Sequence, residues 1–188
     1  MIIFLLACPG VFALKPDSTH RERSHYSLAV GIGWSHYINS MVTVSTRDVQ
    51  KDFIGTSLRF LWEPPHRLSL GLETGFYRQY RVHLKLSDEY TMDSRMYLVP
   101  LLLVVRMRIV DQFYLSVAPG LTLQYSTLSG VGDKESSTQL SLANFQVCAS
   151  YFYPVSKLFL IGGEARLFYI GLTEDYMYSF HVVCAVKL

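Results

Sequence analysis

The sequence predicts an all-β fold, an eight-stranded antiparallel up-and-down transmembrane β-barrel. Apolar and polar residues alternate with a period of two along eight segments between residue 26 and the end of the chain. The connections between these segments alternate between short turns and longer polar loops. Charged residues such as Glu164 and Arg166 interrupt the most apolar segments at positions that share one face. These three observations are typical of outer-membrane barrels.

The composition indicates one folded domain with abundant apolar surface. The chain has 188 residues, of which 50% are hydrophobic and 17% charged, and its mean hydropathy is +0.22. Such a composition is unlike that of a disordered chain. The net charge of +2 and the absence of a Lys/Arg run argue against a nucleic-acid partner.

The N-terminus is predicted to be an export signal. Residues 1–13, "MIIFLLACPGVFA", are apolar and end in a plausible cleavage site, and residues 14–25 form a polar segment before the barrel at 26–188. The apolar stretch is too short to span a bilayer as a helix. Two alternatives stay open: "LLAC" resembles a lipoprotein box with Cys8 as the acylated residue, or the stretch is a buried strand.

The first three predicted strands are 26–37, 52–62 and 67–80, and each alternates clearly. One face is apolar and carries Tyr26, Leu28, Val30, Ile32, Trp34, Leu58, Phe60, Trp62, Leu68, Leu70, Leu72 and Phe76. The other face is mostly Ser, Ala and Gly, and it also carries Arg59 and Glu73.

The fourth predicted strand, 95–109, is apolar on both faces for most of its length. Its apolar run at 96–105 is half the length of a membrane-spanning helix and contains Pro100, so a membrane crossing here requires a strand. Arg106 and Arg108 identify the polar face.

The remaining predicted strands are 113–126, 139–153, 157–171 and 176–188. The fifth, sixth and eighth alternate in the same way as the first three. In the seventh, Glu164 and Arg166 share a face with Gly162, and the opposite face is apolar.

The connections divide the barrel into two unlike ends. Tight turns are predicted at 63–67, 110–112 and 154–157. Longer polar loops are predicted at 38–51, 81–94 and 127–138, and a short final connection at 172–175. Residues 81–90 keep partial alternation, so a hairpin that extends beyond the membrane stays open there. Both termini then lie at the short-turn, periplasmic end.

Six charged residues are predicted to point into the barrel. They are Arg59, Glu73, Arg106, Arg108, Glu164 and Arg166. A slip of one residue would turn every side chain to the other face, and an arginine that faces lipid at the bilayer midplane costs about 2–4 kcal/mol. Because side chains fill the interior of an eight-stranded barrel, we expect a salt-bridged lumen and not an open pore.

A soluble lipocalin-like barrel with an apolar ligand cavity is the main alternative. It would place the apolar face inside and the charges outside. The small residues of the polar face, the alternating loop lengths, and the Tyr and Trp residues at strand ends argue against it, because the aromatic residues resemble membrane-interface girdles.

The catalytic signals in the sequence are few. HExxH, P-loop and GxSxG motifs are absent, and we expect no enzyme activity, no cofactor and no metal site. The alternative is a lipid-modifying hydrolase that uses Ser35 with His36, or Ser179 with His181; it requires a histidine within hydrogen-bond reach of a serine and a carboxylate.

Cysteine usage predicts no disulfide in the barrel. Alternation places Cys148 and Cys184 on opposite faces of the wall, and a bridge requires their side chains to meet.

Three segments resemble strands of the porin-family outer-membrane barrels that are common in Bacteroidetes. They are "YLVPLLLVVRMR", "FYLSVAPGLTLQY" and "GGEARLFYIGLTE", and the similarity extends over about residues 26–188. Leu98-Val99, Val104-Val105 and Ala118-Pro119 depart from the family pattern.

The resemblance implies an outer-membrane barrel of a Gram-negative bacterium without an assigned reaction. The expected partners are outer-membrane lipid and an envelope protein bound through the loops 38–51, 81–94 and 127–138. Whether the protein has a structural role or a binding role is left open by the sequence.

Overall fold

The computed structural model describes residues 24–38, 49–87, 90–129 and 134–188. The predicted signal peptide, Cys8 and nearly all of the polar segment 14–25 lie outside these residues. The strands are β1 (His25–Ile38), β2 (Val49–Gln50), β3 (Asp52–Glu63), β4 (Leu68–Ser87), β5 (Tyr90–Val110), β6 (Phe113–Ser129), β7 (Lys134–Pro154), β8 (Phe159–Ile170) and β9 (Asp175–Lys187).

β2 and β3 act as one strand of the barrel wall. Both pair with β4, and only Lys51 separates them. The carbonyl of Lys51 accepts a hydrogen bond of 3.0 Å from the N–H of Tyr37 in β1. The wall formed by the described residues therefore has eight antiparallel strands, as predicted.

The barrel is closed by the first and last strands. β1 pairs with β3 on one side, where Tyr26 faces Trp62, and with β9 on the other, where Leu28 faces Val186. Each following strand pairs with its neighbour along the chain, and β8 completes the ring against β9. The predicted closed up-and-down barrel is confirmed.

Burial alternates residue by residue along the wall. In β3, for example, Ser57 and Arg59 are buried, whereas Leu58 and Phe60 are exposed. The period-two geometry of a strand sends successive side chains to opposite faces. The exterior is thus apolar and the interior contains the charges, which is the reverse of the lipocalin-like alternative.

Four strands are longer than the sequence pattern predicts. β4 and β5 extend through most of the predicted loop 81–94, and β6 and β7 extend into the predicted loop 127–138. The sequence of 81–90 keeps partial alternation, whereas 127–138 is polar throughout most of its length and lacks the apolar contrast that marks a strand. Of the predicted loop 38–51, residues 39–48 lie outside the part of the chain that the structure describes.

The four long strands form a sheet that projects beyond one end of the barrel, which we call the loop end. The opposite end, with the connections 64–67, 111–112 and 155–158, is the short-turn end. β8 stops pairing with β7 where Ile170 faces Asn144. Among the described residues, no strand covers this side of β7 at 134–143.

No helix in the described part of the chain is both long enough and apolar enough to cross a membrane.

Candidate functional site: the ion-paired interior

Four charged side chains form an alternating ring in the interior. Arg59 donates through Nε to Glu73 at 2.6 Å, and through Nη1 and Nη2 to Glu164 at 2.7 and 3.0 Å. Arg166 donates through Nη1 to Glu73 at 2.8 Å and through Nε to Glu164 at 2.9 Å. Every one of these residues is at most 4% exposed. Each guanidinium thus contacts both carboxylates, and the charges within the ring balance.

Neutral polar groups complete the hydrogen bonding of the ring. Arg166 also donates to the hydroxyl of Tyr77 at 2.9 Å and to that of Ser57 at 3.0 Å, and Gln146 donates to Glu73 at 3.2 Å. Buried ions are tolerated only when they are paired and hydrogen-bonded in this way.

The ring joins opposite parts of the wall. Arg59 and Glu73 are direct partners in the pairing of β3 with β4, whereas Glu164 and Arg166 lie on β8. β1 and β9 stand between these two groups in the wall. The ring therefore bridges the lumen, which is filled at this level.

Two glycines leave room for the ring of Tyr77. A Cβ on Gly55 would lie 2.5 Å from the Tyr77 ring, and a Cβ on Gly75 would lie 2.7 Å from it. Both distances are shorter than real contacts allow. Since Tyr77 hydrogen-bonds Arg166, these glycines position a neighbour of the ion-paired ring.

We expect Gly55→Ala to destabilise the barrel by about 1–3 kcal/mol, the usual range for overpacking a core. The cost arises from displacement of Tyr77, so it should shrink when Tyr77→Ala is already present. Urea unfolding of the four members of this double-mutant cycle measures the coupling. Equal costs in both backgrounds would contradict the contact between Gly55 and Tyr77.

Arg106 belongs to a second group, near the short-turn end. It donates to Glu63 at 2.5 Å, and its guanidinium lies 4.6 Å from the ring centre of Tyr114. Ser27 donates to the same carboxylate at 2.5 Å, and His25 Nε2 lies 3.1 Å from it. Glu63 has the same strand parity as Arg59, but its position in the predicted turn 63–67 gave no indication that it points into the lumen.

Arg108 does not join either group, so its predicted place in the lumen is wrong. It is exposed near the end of β5, where its N–H donates to the carbonyl of Arg67 at 2.8 Å. The pairing of β5 with β6 becomes irregular just beyond it. Strand parity indicates the inner face here, but the side chain lies where the barrel ends and reaches water.

The interior also contains an apolar cluster, which the prediction of a polar lumen did not include. Its buried members are Leu61, Tyr77, Leu98, Leu102, Val104, Ala118, Phe168, Ile170 and Met177. Tyr77 is shared by this cluster and the ion-paired ring. The lumen is thus filled by polar and apolar side chains together.

The two Ser–His pairs of the hydrolase alternative do not assemble a catalytic arrangement. Ser35 is buried and donates to the carbonyl of Phe53 at 3.1 Å, whereas His36 is on the other face, 2.8 Å from Asp52. In the described part of the chain, neither ring nitrogen of His181 has a hydrogen-bond partner. Neither of these two pairs places a histidine within hydrogen-bond reach of both a serine and a carboxylate among the described residues.

The described residues provide no group of three His, Cys, Asp or Glu side chains that could hold a metal ion. Cys148 is buried inside and Cys184 is exposed outside, and neither forms a disulfide. This agrees with the prediction that they lie on opposite faces.

A further ion-paired group lies on the projecting hairpin of β4 and β5. Asp93 accepts hydrogen bonds from Arg95, with Nε at 3.1 Å and Nη2 at 2.6 Å, and from Arg81, with Nε at 3.2 Å and Nη2 at 2.9 Å. These hydrogen bonds, from Arg95 first and then Arg81, lower the pKa of Asp93 to about 2.

We expect the carboxyl of Asp93 to titrate near pH 2, below the ordinary value of about 3.9. Because the pKa of Asp93 is lower in the folded state, its ion pairs with Arg81 and Arg95 stabilise the fold above pH 4. This stabilisation is lost as the pH falls toward 2. Carboxyl-carbon NMR of the folded protein measures the midpoint. A titration midpoint of Asp93 at or above pH 4 would contradict these ion pairs.

The fold defines a class of proteins, the small closed barrels with eight antiparallel strands that occur in outer membranes. The chain is similar to Ail, the attachment invasion locus protein of Yersinia pestis, in its complex with the heparin analogue sucrose octasulfate. The TM-score is 0.58 and the identity is 14%, and the match covers 88% of this chain and 99% of Ail. Neisserial surface protein A is similar with a TM-score of 0.56 and 15% identity, over 87% of this chain and 97% of that one. At these identities the likeness concerns the fold.

No protein-family model matches the chain, and no curated protein sequence matches it.

Proposed function

We propose that the chain is an integral outer-membrane protein of a Gram-negative bacterium. Its barrel is a filled, rigid support, and its loop end has a structural role or binds a partner. The role requires no catalytic step and no cofactor. The resemblance to the porin-family barrels of Bacteroidetes supports the same location.

The sidedness of the wall is the observation that carries this proposal. Large apolar side chains are exposed along the outward face of the strands, among them Val30, Ile32, Leu58, Leu72, Leu101, Leu103, Leu123, Leu167, Phe180 and Val182. An exposed apolar surface that surrounds the whole molecule is unfavourable in water but matches lipid.

Aromatic residues border this apolar surface. On β1, Tyr26 and Trp34 are both outward and exposed, and they stand eight residues apart. At the usual strand rise and tilt they are separated by about 20 Å along the barrel axis, close to the apolar band of about 25 Å in outer-membrane barrels. The arrangement supports a membrane-spanning wall.

The projecting sheet supports a binding role at the loop end. We propose residues 38–51, 81–94 and 127–138 as partner-binding segments. The described parts of the last two lie in paired strands. The side of β7 at 134–143 that β8 leaves uncovered offers backbone groups to which a partner strand can add. We propose an envelope protein as that partner.

Membrane fractionation with a carbonate wash, followed by gel mobility with and without boiling, tests the location. We expect the protein to remain in the outer-membrane pellet and to change mobility on heating. Release into the soluble fraction would overturn the proposal. Pull-down with Thr138→Pro, which removes an N–H on the uncovered side of β7, against Gln112→Pro in a short turn, tests the binding edge.

A further inference from the structure

The hairpin of β4 and β5 carries three arginines on its outward face, and a bulge in β4 turns one of them, Arg81, to that face. Arg78 faces Tyr97, but the next pair is Tyr80 with Met96, so Gln79 is an extra residue. Gln79 is fully buried. The alternation then resumes with Arg81 outward, directly opposite Arg95. We call Arg78, Arg81 and Arg95 the rim arginines.

The rim arginines lie just beyond the apolar belt. The outward ring of Phe76 stacks on Tyr97 with 5.4 Å between centroids, and this pair ends the belt on β4 and β5. Arg78 is two residues farther along, and Arg81 follows after the bulge. The polar headgroup layer on each side of a bilayer is about 5–8 Å thick. The rim arginines therefore lie at headgroup depth.

Arg78 lies against two aromatic rings. Its guanidinium carbon lies 5.1 Å from the ring centre of Phe53 and 5.2 Å from that of Tyr97. Its Nε is buried and has no hydrogen-bond partner among the residues that the structure describes. Stacking against aromatic rings fixes the plane of a guanidinium, and none of the ion pairs seen among the described residues includes Arg78.

Arg81 and Arg95 share a single carboxylate, that of Asp93. Their side chains are 38% and 43% exposed. Adjacent cations on paired strands repel each other, and one aspartate balances only one of them. Together with Arg78, the described outward rim has three guanidinium groups for one carboxylate, so an anion with more than one negative charge fits it.

We propose that the rim arginines bind the phosphate groups of a phosphorylated lipid in the outer leaflet. A guanidinium matches two phosphate oxygens with two parallel N–H donors. The adjacent Phe76 and Tyr97 rings and the apolar belt receive the acyl chains of the same lipid. This continuity of apolar belt and cationic rim favours a lipid over a soluble anion. The inference rests on the proposed location in the outer membrane.

The test is a titration of the folded, detergent-solubilised protein by native mass spectrometry. The probes are diphosphoryl lipid A and the same lipid after dephosphorylation. The variants are Arg78→Gln and the double substitution Arg81→Gln/Arg95→Gln. Arg108→Gln is the matched control, because it removes an exposed arginine at the opposite end. Heat-dependent gel mobility verifies that each variant is folded.

We expect the wild type and Arg108→Gln to prefer the diphosphoryl lipid. The preference should fall by about fivefold in Arg78→Gln and about 25-fold in the double variant, at roughly fivefold for each cation near an anionic surface. A preference that survives in the folded rim variants would overturn the inference.

Three further outcomes distinguish a failed lipid site from a failed membrane location. If soluble sucrose octasulfate displaces the lipid and binds as tightly through the same arginines, the lipid assignment is wrong and the site takes a soluble polyanion. If the chain fails the carbonate-wash test, the proposed location fails, and the lipid site fails with it. Retention in the membrane with equal affinity for both lipids would refute the lipid site alone.

Discussion

Replacing Glu164 by glutamine is expected to destabilise the folded barrel by about 3–5 kcal/mol, the usual cost of breaking a buried ion pair from one side. Glu164 contacts Arg59 and Arg166, both of which are almost fully buried. Removing its charge leaves two guanidinium groups with Glu73 as the one carboxylate of the ring. The substitution preserves side-chain volume, so the loss reports charge and not packing.

Urea unfolding of the barrel refolded in lipid vesicles measures this loss, with the exposed Glu135 changed to glutamine as the control. We expect the control to shift stability by less than about 0.5 kcal/mol. The double variant Glu164→Gln/Arg166→Met restores charge balance, so it should be less destabilised than the sum of its single changes. Additive costs would argue against a coupled ring.

Replacing Leu103 by arginine is expected to cost about 2–4 kcal/mol in a bilayer. Leu103 is outward and 53% exposed, and it lies midway between Tyr97 and Ile109 on β5. Its position is therefore close to the midplane of the apolar belt. On a water-facing surface of the same exposure, the substitution would be nearly neutral.

The matched control is Val110→Arg, at the short-turn end of the same strand, where the cost should fall to about 0–1 kcal/mol. Urea titration in vesicles gives both values. Equal stabilities for the two variants would show that the exposed apolar face is not in contact with lipid.

Strand parity explains why the sequence predicts the faces of the wall so well. Each residue turns the side chain by half a turn, so one charged position such as Arg59 determines the face of the whole strand. Arg59, Glu73, Glu164 and Arg166 all have inward parity, and in the structure they meet. Parity says nothing of partners across the lumen, which depend on closure and strand tilt.

The position of a side chain along the barrel axis is harder to predict from the sequence than the face it occupies. Arg106 and Arg108 share parity, yet one is buried against Glu63 and the other is exposed. Register shifts beside Arg78 and beyond Arg108 are single-residue events without a clear sequence signal. Partial alternation in residues 81–90 left an extension of β4 and β5 open, whereas the extension of β6 and β7 was not predicted because those segments lose the apolar contrast that identifies a strand.

The ion-paired ring also affects the order of assembly. Arg59 and Glu164 are 105 residues apart in sequence, and Arg166 and Glu73 are 93 apart. Contacts of such separation form late, because a long segment of chain must first be ordered. An open curved sheet would present these charges to the hydrocarbon region without their distant partners. Docking of β1 against β9 brings both halves of the ring together, so closure of the wall and neutralisation of the buried charges are coupled.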